Sequence, residues 1–155
     1  MHLAISYPTE ASENEALRHV RGEHQTASNH PESPAPLSKD NIFAAREGIA
    51  QVHISESIEK YIVALVNASR FPEKYDEELA RWLDFGASPR GAIGLDRCAR
   101  VVAWLNGKDF VDPDDVREVV HDVLRHRLGL SYFAAAEGVS RDAVVSRLVE
   151  LVAVS

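Results

Sequence analysis

Residues 85–91, Phe85-Gly86-Ala87-Ser88-Pro89-Arg90-Gly91, contain the clearest helix start in the chain. The serine can occupy the capping position, and the proline that follows it suits the first helical position. Arg90 then falls in the first turn, where the helix dipole makes an exposed cation unfavourable by about 0.3–1 kcal/mol. An anion bound nearby would reverse that sign, because an arginine can hold two phosphate oxygens at once. The residues alone leave two interpretations open, a solvated arginine and an anion-binding one.

Similar start signals recur along the chain and predict an all-α bundle of about six or seven helices. The predicted caps are Thr9 (for a helix to about Val20), Ser38, Ser55, Ser88, Asp112 and Ser140, and a shorter helix is predicted between Pro72 and Trp82. Apolar residues at helical spacing predict the buried face of each longer helix. These stripes are Ile42, Ala45, Ile49 and Val52; Ile58, Tyr61, Ile62, Leu65 and Val66; Leu95, Cys98, Ala99, Val102 and Leu105; Val116, Val119, Val120, Val123 and Leu124; and Val144, Val145, Leu148, Leu151 and Val152.

Two segments near the N-terminus depart from the helical pattern. His2 to Tyr7 is predicted to form a short strand that Pro8 closes. The remaining sequence offers this strand no obvious partner, so we expect a chain severed from a sheet. Residues 22–37 are rich in Gly, Ser, Asn and Pro and are predicted to form an exposed loop.

Length, charge and cysteine content favour a single domain and disfavour a nucleic-acid-binding or disulfide-linked protein. The 155 residues suit one domain, and the net charge of −7 disfavours broad binding to a nucleic-acid backbone. Cys98 is the single cysteine, which excludes an intrachain disulfide, and it is interpreted as a packed apolar residue. There is neither a signal-peptide pattern nor an apolar run long enough to span a membrane, so we expect a cytoplasmic protein.

The histidines do not predict a metal site. His19, His24 and His30 have spacings that match no common ligand signature. His121 and His126 are five residues apart on a predicted helix, which directs them to different faces.

Other side chains receive structural interpretations. Trp82 and Trp104 are predicted to anchor the core, because each can bury a large area. Asp96 and Arg100 are four residues apart on one predicted helix, so we expect them to pair. Arg90, Arg97 and Arg100 share that helix and are expected to form a surface that faces solvent or a neighbouring subunit rather than nucleic acid.

Several motifs, in this order, resemble the MoxR-type AAA+ ATPases. Residues 85–91 match the family motif G-A-S-P-R-[A/G], and four further segments are similar to family segments: Ile5-Ser6-Tyr7-Pro8, Asp109-Phe110-Val111-Asp112-Pro113-Asp114-Asp115-Val116, Asp122-Val123-Leu124-Arg125-His126-Arg127-Leu128, and Leu130-Ser131-Tyr132 with Ala136-Glu137-Gly138. The resemblance covers nearly the whole chain, with residues 22–36 its least typical part. It is a resemblance to the helical lid domain that follows the nucleotide-binding core.

The resemblance implies roles for particular residues. Residues 1–8 would be the end of the last core strand and the hinge, and residues 9–155 the lid. Arg90 would be the sensor 2 arginine, which reaches the γ-phosphate of ATP in its own subunit, and Tyr7 and Pro8 would lie near the adenine. The longer parent would be an ATPase that uses ATP and Mg²⁺, assembles into a ring, usually a hexamer, and remodels client proteins like a chaperone. The 155 residues contain no phosphate-binding loop G-x-x-x-x-G-K-[S/T] and no metal-binding acidic pair after an apolar strand, so this chain alone is not expected to hydrolyse ATP.

Two other functions stay open. Residues 130–148 are similar to a helix-turn-helix, with Ser140, Arg141, Ser146 and Arg147 as candidate contacts to a DNA groove. The acidic net charge argues against DNA binding, and the AAA+ motifs account for the same residues. The other alternative is a free-standing helical adaptor that binds partner proteins without nucleotide. The unpaired N-terminal strand and Arg90 argue against it.

Overall fold

The structure is a computed structural model that describes residues 1–3, 8–25 and 36–154. The chain divides into two compact units, a smaller one of residues 4–42 and a larger one that combines residues 1–3 with residues 43–155. Within the described residues there are eight α-helices and one pair of short strands. The predicted all-α class is therefore confirmed, with one or two short helices more than the sequence predicted.

The smaller unit contains α1, Glu10–Gln25. Thr9 caps it as predicted, because its hydroxyl oxygen accepts the Ser12 N–H at 3.3 Å. The helix ends later than the predicted Val20 and takes in residues 22–25, where the sequence predicted a loop. A single Gly22 costs a helix only about 1 kcal/mol relative to alanine, which is too little to end it. The rest of the predicted loop up to residue 35 lies outside the described residues.

The N-terminal residues of the larger unit differ from the predicted strand. Residues 1–3 have no strand assignment, and the His2 N–H donates to the Asp122 carbonyl at 2.7 Å. Residues 4–7, which make up the remainder of the predicted strand, lie outside the described residues.

The other helices follow in chain order. They are α2 (Lys39–Gln51), α3 (Glu56–Arg70), α4 (Glu77–Trp82), α5 (Pro89–Leu105), α6 (Pro113–Leu124), α7 (Tyr132–Ala136) and α8 (Arg141–Leu151), with 3-10 turns at Pro72–Lys74 and Arg125–Arg127. The shorter helix predicted between Pro72 and Trp82 is thus a 3-10 turn followed by α4. Short segments connect successive elements from α3 onward, so neighbouring helices pack against one another.

The predicted caps hold for most of these helices. Ser38, Ser55 and Ser140 each accept a backbone N–H from three residues further on. Asp112 forms a complete capping box with Asp115 at the start of α6. Ser88 occupies the capping position of α5, but its hydroxyl makes no capping hydrogen bond to a described residue. The start of α5 must therefore be held in another way.

The core lies between α3, α5, α6 and α8. The predicted stripes of α3 and α6 are buried in full, and so are Val144, Val145, Leu148 and Val152. The buried face of α5 consists of Gly91, Leu95, Ala99 and Ala103, which recur every four residues. Three of the four are small, so α5 can approach its neighbours closely.

Several predictions about burial are wrong, among them that of Leu151, which is only half-buried. Leu105 is 69% exposed, because the last residue of α5 lies off the Gly91–Ala103 face. Cys98 and Val102 are only half-buried, since they flank that face. Trp104 is 37% exposed instead of anchoring the core, whereas Trp82 is half-buried and packs against it. No residue within Lys39–Gln51 is buried, so Ile42, Ala45 and Ile49 are not core residues, and of the predicted stripe only Val52, beyond the end of α2, is buried.

A short strand pair joins two distant parts of the chain. β1 (Leu83–Phe85) pairs antiparallel with β2 (Gly129–Leu130), with Leu83 opposite Leu130 and Phe85 opposite Gly129. Gly129 lets the Phe85 ring lie against the strand, because an added Cβ would lie 2.1 Å from that ring and the ring would have to move. The pairing places β1 beside α3 and leads directly into residues 86–91.

Candidate functional site

Gly86 lies against the backbone at the end of α3. A Cβ built on Gly86 would lie 2.2 Å from the Ser69 carbonyl oxygen and 2.7 Å from the Arg70 nitrogen. Any larger residue would therefore overlap backbone atoms that cannot move without displacing α3. This glycine serves close approach, since its φ is not positive.

Ala87 is bonded to the same turn of α3 through both of its backbone groups. The Ala87 N–H donates to the Ser69 hydroxyl oxygen at 3.0 Å. The Arg70 Nε donates to the Ala87 carbonyl at 2.6 Å. Ala87 itself is completely buried. Residues 86 and 87 are thereby fixed to the end of α3, which lies far from them in the sequence.

The first turn of α5 packs against α6. Gly91 is buried, and a Cβ there would lie 3.1 Å from the Ala87 Cβ and 3.4 Å from a Leu124 methyl carbon. One turn further on, a Cβ on Gly94 would lie 3.0 Å from a Val123 methyl carbon. Pro89 occupies the first helical position, where its missing N–H costs no hydrogen bond. Each of these residues has a structural reason for its identity.

Arg90 has no such reason. Its side chain is exposed, and among the described residues its guanidinium makes no hydrogen bond or ion pair. It lies in the first turn of a 17-residue helix that carries no acidic residue there. By contrast, the first turns of α3, α6 and α8 all contain acidic residues, which suit the positive end of a helix dipole. The start of α5 is therefore an electropositive end with an exposed cation.

Two arginines follow the end of α6. The predicted match of Arg125 and Arg127 to the negative end of α6 is realised in the 3-10 turn that follows it. Arg127 donates from Nη1 to the Val123 carbonyl, and Arg125 is ion-paired with Asp122 and with Asp142, each at 2.9 Å. Attraction of an anion to the start of α5 therefore comes from Arg90 and the helix dipole.

The expected closeness of Tyr7 and Pro8 to the nucleotide stays a prediction. Tyr7 lies outside the described residues, and Pro8 is exposed and belongs to the smaller unit. The sequence did not reveal the residues that hold the site from α3, Ser69 and Arg70. Their contacts to Ala87 span 18 and 17 residues and involve its backbone, which no side-chain pattern reports.

The candidate metal and DNA sites receive little support from the structure. The described residues contain no group of three or more His, Cys, Asp or Glu side chains arranged to hold a metal ion. Arg147, a candidate DNA contact, is ion-paired with Asp76 at 2.5 Å and with Glu150 at 3.3 Å. Arg141 donates from Nε to the Leu128 carbonyl, and Ser140 is used to cap α8. Three of the four proposed groove contacts thus already have internal partners.

Comparison with known proteins agrees with the geometry. The family of the AAA lid domain matches residues 79–148. The chaperone MoxR1 of Mycobacterium tuberculosis is 34% identical over 150 residues, which cover 96% of this chain and 38% of that protein. The protein MoxR of Paracoccus denitrificans is 38% identical over 103 residues, 63% of this chain and 30% of its own length.

A solved structure shows the same fold. A protein from Cytophaga hutchinsonii, described as an ATPase, superposes with a TM-score of 0.85 at 38% identity, over 97% of this chain and 45% of that one. The chain thus spans about two fifths of the M. tuberculosis relative and less than half of the solved structure.

The helical bundle, the match to the AAA lid family and the likeness to the solved structure define a lid domain of the AAA+ class. Within that class, the chain is a MoxR-type AAA+ lid, as its similarity to the MoxR proteins of M. tuberculosis and P. denitrificans shows. No helix of the described residues is long and apolar enough to cross a membrane.

Proposed function

We propose that this lid closes over ATP held by a AAA+ nucleotide-binding core in the same, longer protein, and that Arg90 contacts the γ-phosphate. The observation that carries the proposal is the exposed guanidinium of Arg90, without a partner among the described residues, on a backbone segment that is otherwise tightly held. An arginine fixed in this way needs little reorganisation to meet negative charge on a transferring phosphoryl group.

The residues fit the nucleotide as one half of its site. ATP supplies the triphosphate, and Mg²⁺ would be held by acidic residues of the core, because the described residues contain no metal-holding cluster. Arg90 would bind two oxygens of the terminal phosphate, which its planar fork permits. Residues 1–8 would form the hinge, with Tyr7 and Pro8 near the adenine.

Movement of the lid would then link hydrolysis to work on other proteins. The proposed partners are the core, the neighbouring subunits of a ring, here a hexamer, and a client protein, in the cytoplasm. The support for a chaperone-like role is the name of the M. tuberculosis relative, a chaperone. The support for ATP use is the membership in a family of ATPases.

The decisive experiment compares arginine variants of the full-length protein. Arg90→Ala should reduce ATP turnover by about 10²-fold, the usual cost of removing one group that stabilises transition-state charge. Arg90→Lys should retain part of the turnover, because it keeps the charge and loses the bidentate geometry. Arg97→Ala is the matched control, since Arg97 is an exposed arginine on the same helix.

Circular dichroism of each variant would establish that the lid is folded. Turnover of Arg90→Ala equal to that of the wild type would refute the assignment of Arg90.

A second experiment uses the 155-residue chain by itself. ATP should bind weakly or not at all in equilibrium dialysis, because the chain carries no phosphate-binding loop. Sub-micromolar affinity would contradict the proposal, since the lid alone would then hold the nucleotide. The helix-turn-helix alternative predicts something else, sequence-specific duplex DNA binding that weakens steeply with salt.

A further inference from the structure

We propose that Ser69 and Arg70 are positioning residues that fix the direction of Arg90 by holding Ala87. This inference rests on the proposed role of Arg90 in ATP turnover. Neither residue belongs to the motif of residues 85–91, and both lie in the last turn of α3.

The Ser69 hydroxyl is fully engaged by this contact. It is 1% exposed, and it donates to the Val66 carbonyl at 2.7 Å while it accepts the Ala87 N–H at 3.0 Å. A hydroxyl has one hydrogen to donate, so the bond to Val66 orients its lone pairs toward Ala87. Serine at this position therefore gives the buried Ala87 N–H a hydrogen-bond acceptor, and its own buried hydroxyl also has a partner.

Arg70 completes a two-point attachment. Its Nε donates to the Ala87 carbonyl at 2.6 Å, and a bond from a charged donor is stronger than one between neutral groups. Two consecutive residues of α3 thus bind both backbone groups of one residue. The close approach of Gly86 to the Ser69–Arg70 peptide adds a steric limit on the same side.

This attachment matters because α5 lacks the usual cap. The hydroxyl of Ser88 makes no capping hydrogen bond to a described residue, so it does not define the start of the helix. Between Ala87 and Arg90 there are only two residues, and Pro89 has a fixed φ. Gly91 then packs against Leu124. The path of the backbone to Arg90 is set by the Ala87 attachment at one end and by this packing at the other.

A double-mutant cycle in the full-length protein tests the inference. Ser69→Ala removes the acceptor for the Ala87 N–H and should reduce ATP turnover on the order of 10-fold, because small misplacement of a charge-stabilising group is costly. In the Arg90→Ala background the same change should alter turnover by less than about 2-fold, since the two residues act as one unit. Ser69→Thr, which keeps the hydroxyl, should restore turnover relative to Ser69→Val, which has the same shape without it.

Arg70→Met provides an independent variant if a substitution at the buried Ser69 prevents folding. Arg70 is exposed, and methionine keeps much of the side-chain length but has no N–H to donate to the Ala87 carbonyl. Arg70→Met should also reduce ATP turnover several-fold, and only when Arg90 is present. Arg97→Met is its matched control on α5.

Hydrogen exchange gives a readout that does not depend on catalysis. In the 155-residue chain, Arg70→Met and Ser69→Ala should each raise the exchange rate of the Ala87 amide at least 10-fold while amides in α6 stay protected. The exchange rate of the Ala87 amide tests the attachment of Ala87 to α3 even if Arg90 has no role in turnover.

The outcomes separate the two proposals. Normal turnover of Arg90→Ala would defeat the proposed function. Suppose that Arg90→Ala greatly reduces ATP turnover. If the Ser69 and Arg70 variants then leave turnover unchanged, or reduce it additively with Arg90→Ala, the positioning role is overturned and the proposed function stays intact. Unchanged exchange at Ala87 in both variants would overturn the positioning role as well.

Discussion

Lys108 and Asp115 form an ion pair at the start of α6, with Nζ 2.6 Å from Oδ1 of a carboxylate that is 2% exposed. The other oxygen of Asp115 accepts the Asp112 N–H at 3.0 Å and so completes the capping box. Lys108 also bonds the Asp112 carboxylate at 2.8 Å, and this hydrogen bond lowers the pKa of Asp112 against the opposing effect of burial. One buried carboxylate thus joins the loop after α5 to the first turn of α6.

Asp115→Ala should destabilise the chain strongly. The change removes the acceptor of the capping box and leaves Lys108 with one partner instead of two, at a cost of about 3 kcal/mol, the lower end for breaking a buried pair. Denaturant unfolding followed by circular dichroism would measure it. Asp114→Ala is the control, because Asp114 is 85% exposed and pairs with Arg117 at the surface. A loss at Asp115 no greater than at Asp114 would mean that the buried pair contributes little.

Asp76 should make the stability depend on pH in acid. The Leu79 N–H, followed by the Arg147 guanidinium, lowers the pKa of Asp76 below its ordinary value of 3.8. A carboxylate with a lowered pKa in the folded state stabilises it fully above the unfolded-state pKa, and this contribution is lost as the pH falls through the folded-state pKa.

Thermal melts of the wild type and Asp76→Asn should therefore differ at pH 7, and the difference should be smaller at pH 3, below the ordinary pKa of 3.8. Asp84→Asn, a change at an exposed position of β1, serves as the control and should follow the wild type. An unchanged difference between wild type and Asp76→Asn at both pH values would contradict the assignment.

Gly86→Ala should be more harmful than Gly107→Ala, although only Gly107 has a positive φ, of 72°. The added Cβ at Gly86 meets the Ser69 backbone, and forcing it in should cost about 3 kcal/mol. At Gly107 nothing lies within 4 Å, so only the strained conformation remains, at about 1 kcal/mol. Urea midpoints of the two variants give the order. A larger loss at Gly107 would show that α3 shifts easily to accommodate residue 86.

The two ends of the predicted α5 stripe should respond differently to truncation. Leu95 is completely buried, so Leu95→Ala should cost about 2–5 kcal/mol. Leu105 is 69% exposed, and Leu105→Ala should change the free energy of unfolding by less than about 0.5 kcal/mol. Chemical denaturation of both variants would check this contrast. A large loss at Leu105 would indicate that another surface covers it in solution.

Arg90→Ala should slightly stabilise the isolated chain. An exposed cation in the first turn of α5 opposes the helix dipole, so its removal should gain about 0.5 kcal/mol. Arg97→Ala, in the middle of the same helix, should have no such effect. The measurement is the melting temperature at low salt, and the gain should shrink as salt is added. A loss of stability would mean that Arg90 has a structural partner after all.

The helices were predictable because their signals are local. Ser55, Asp112 and Ser140 cap helices as the sequence indicated, and the stripes of α3 and α6 are buried without exception. The strands β1 and β2 were not predictable, since three and two residues are too few to show an alternating pattern. Helix α7 was not predictable either, because five residues are too few to show a helical repeat of apolar side chains.

The candidate site was predictable only at its arginine. The motif around Arg90 is continuous in sequence, so the resemblance to a known family brought it out. Burial along α5 was misjudged at Leu105 because spacing alone cannot show which of two adjacent faces meets α6. The attachment of Ala87 to Ser69 and Arg70 could not be predicted, because it depends on how the end of α3 meets a backbone segment far along the chain.

The close fit of residues 86–91 affects how their sequence pattern should be read in other proteins. Gly86, Ala87 and Gly91 are demanded by packing, whereas nothing among the described residues demands an arginine at position 90. A match to the glycines and alanine therefore indicates the packing of this lid, and under the proposed function only the arginine would indicate contact with a nucleotide. A related lid with another residue at position 90 should fold normally, and in the proposed scheme it would be an inactive member of its family, recognisable from a single codon.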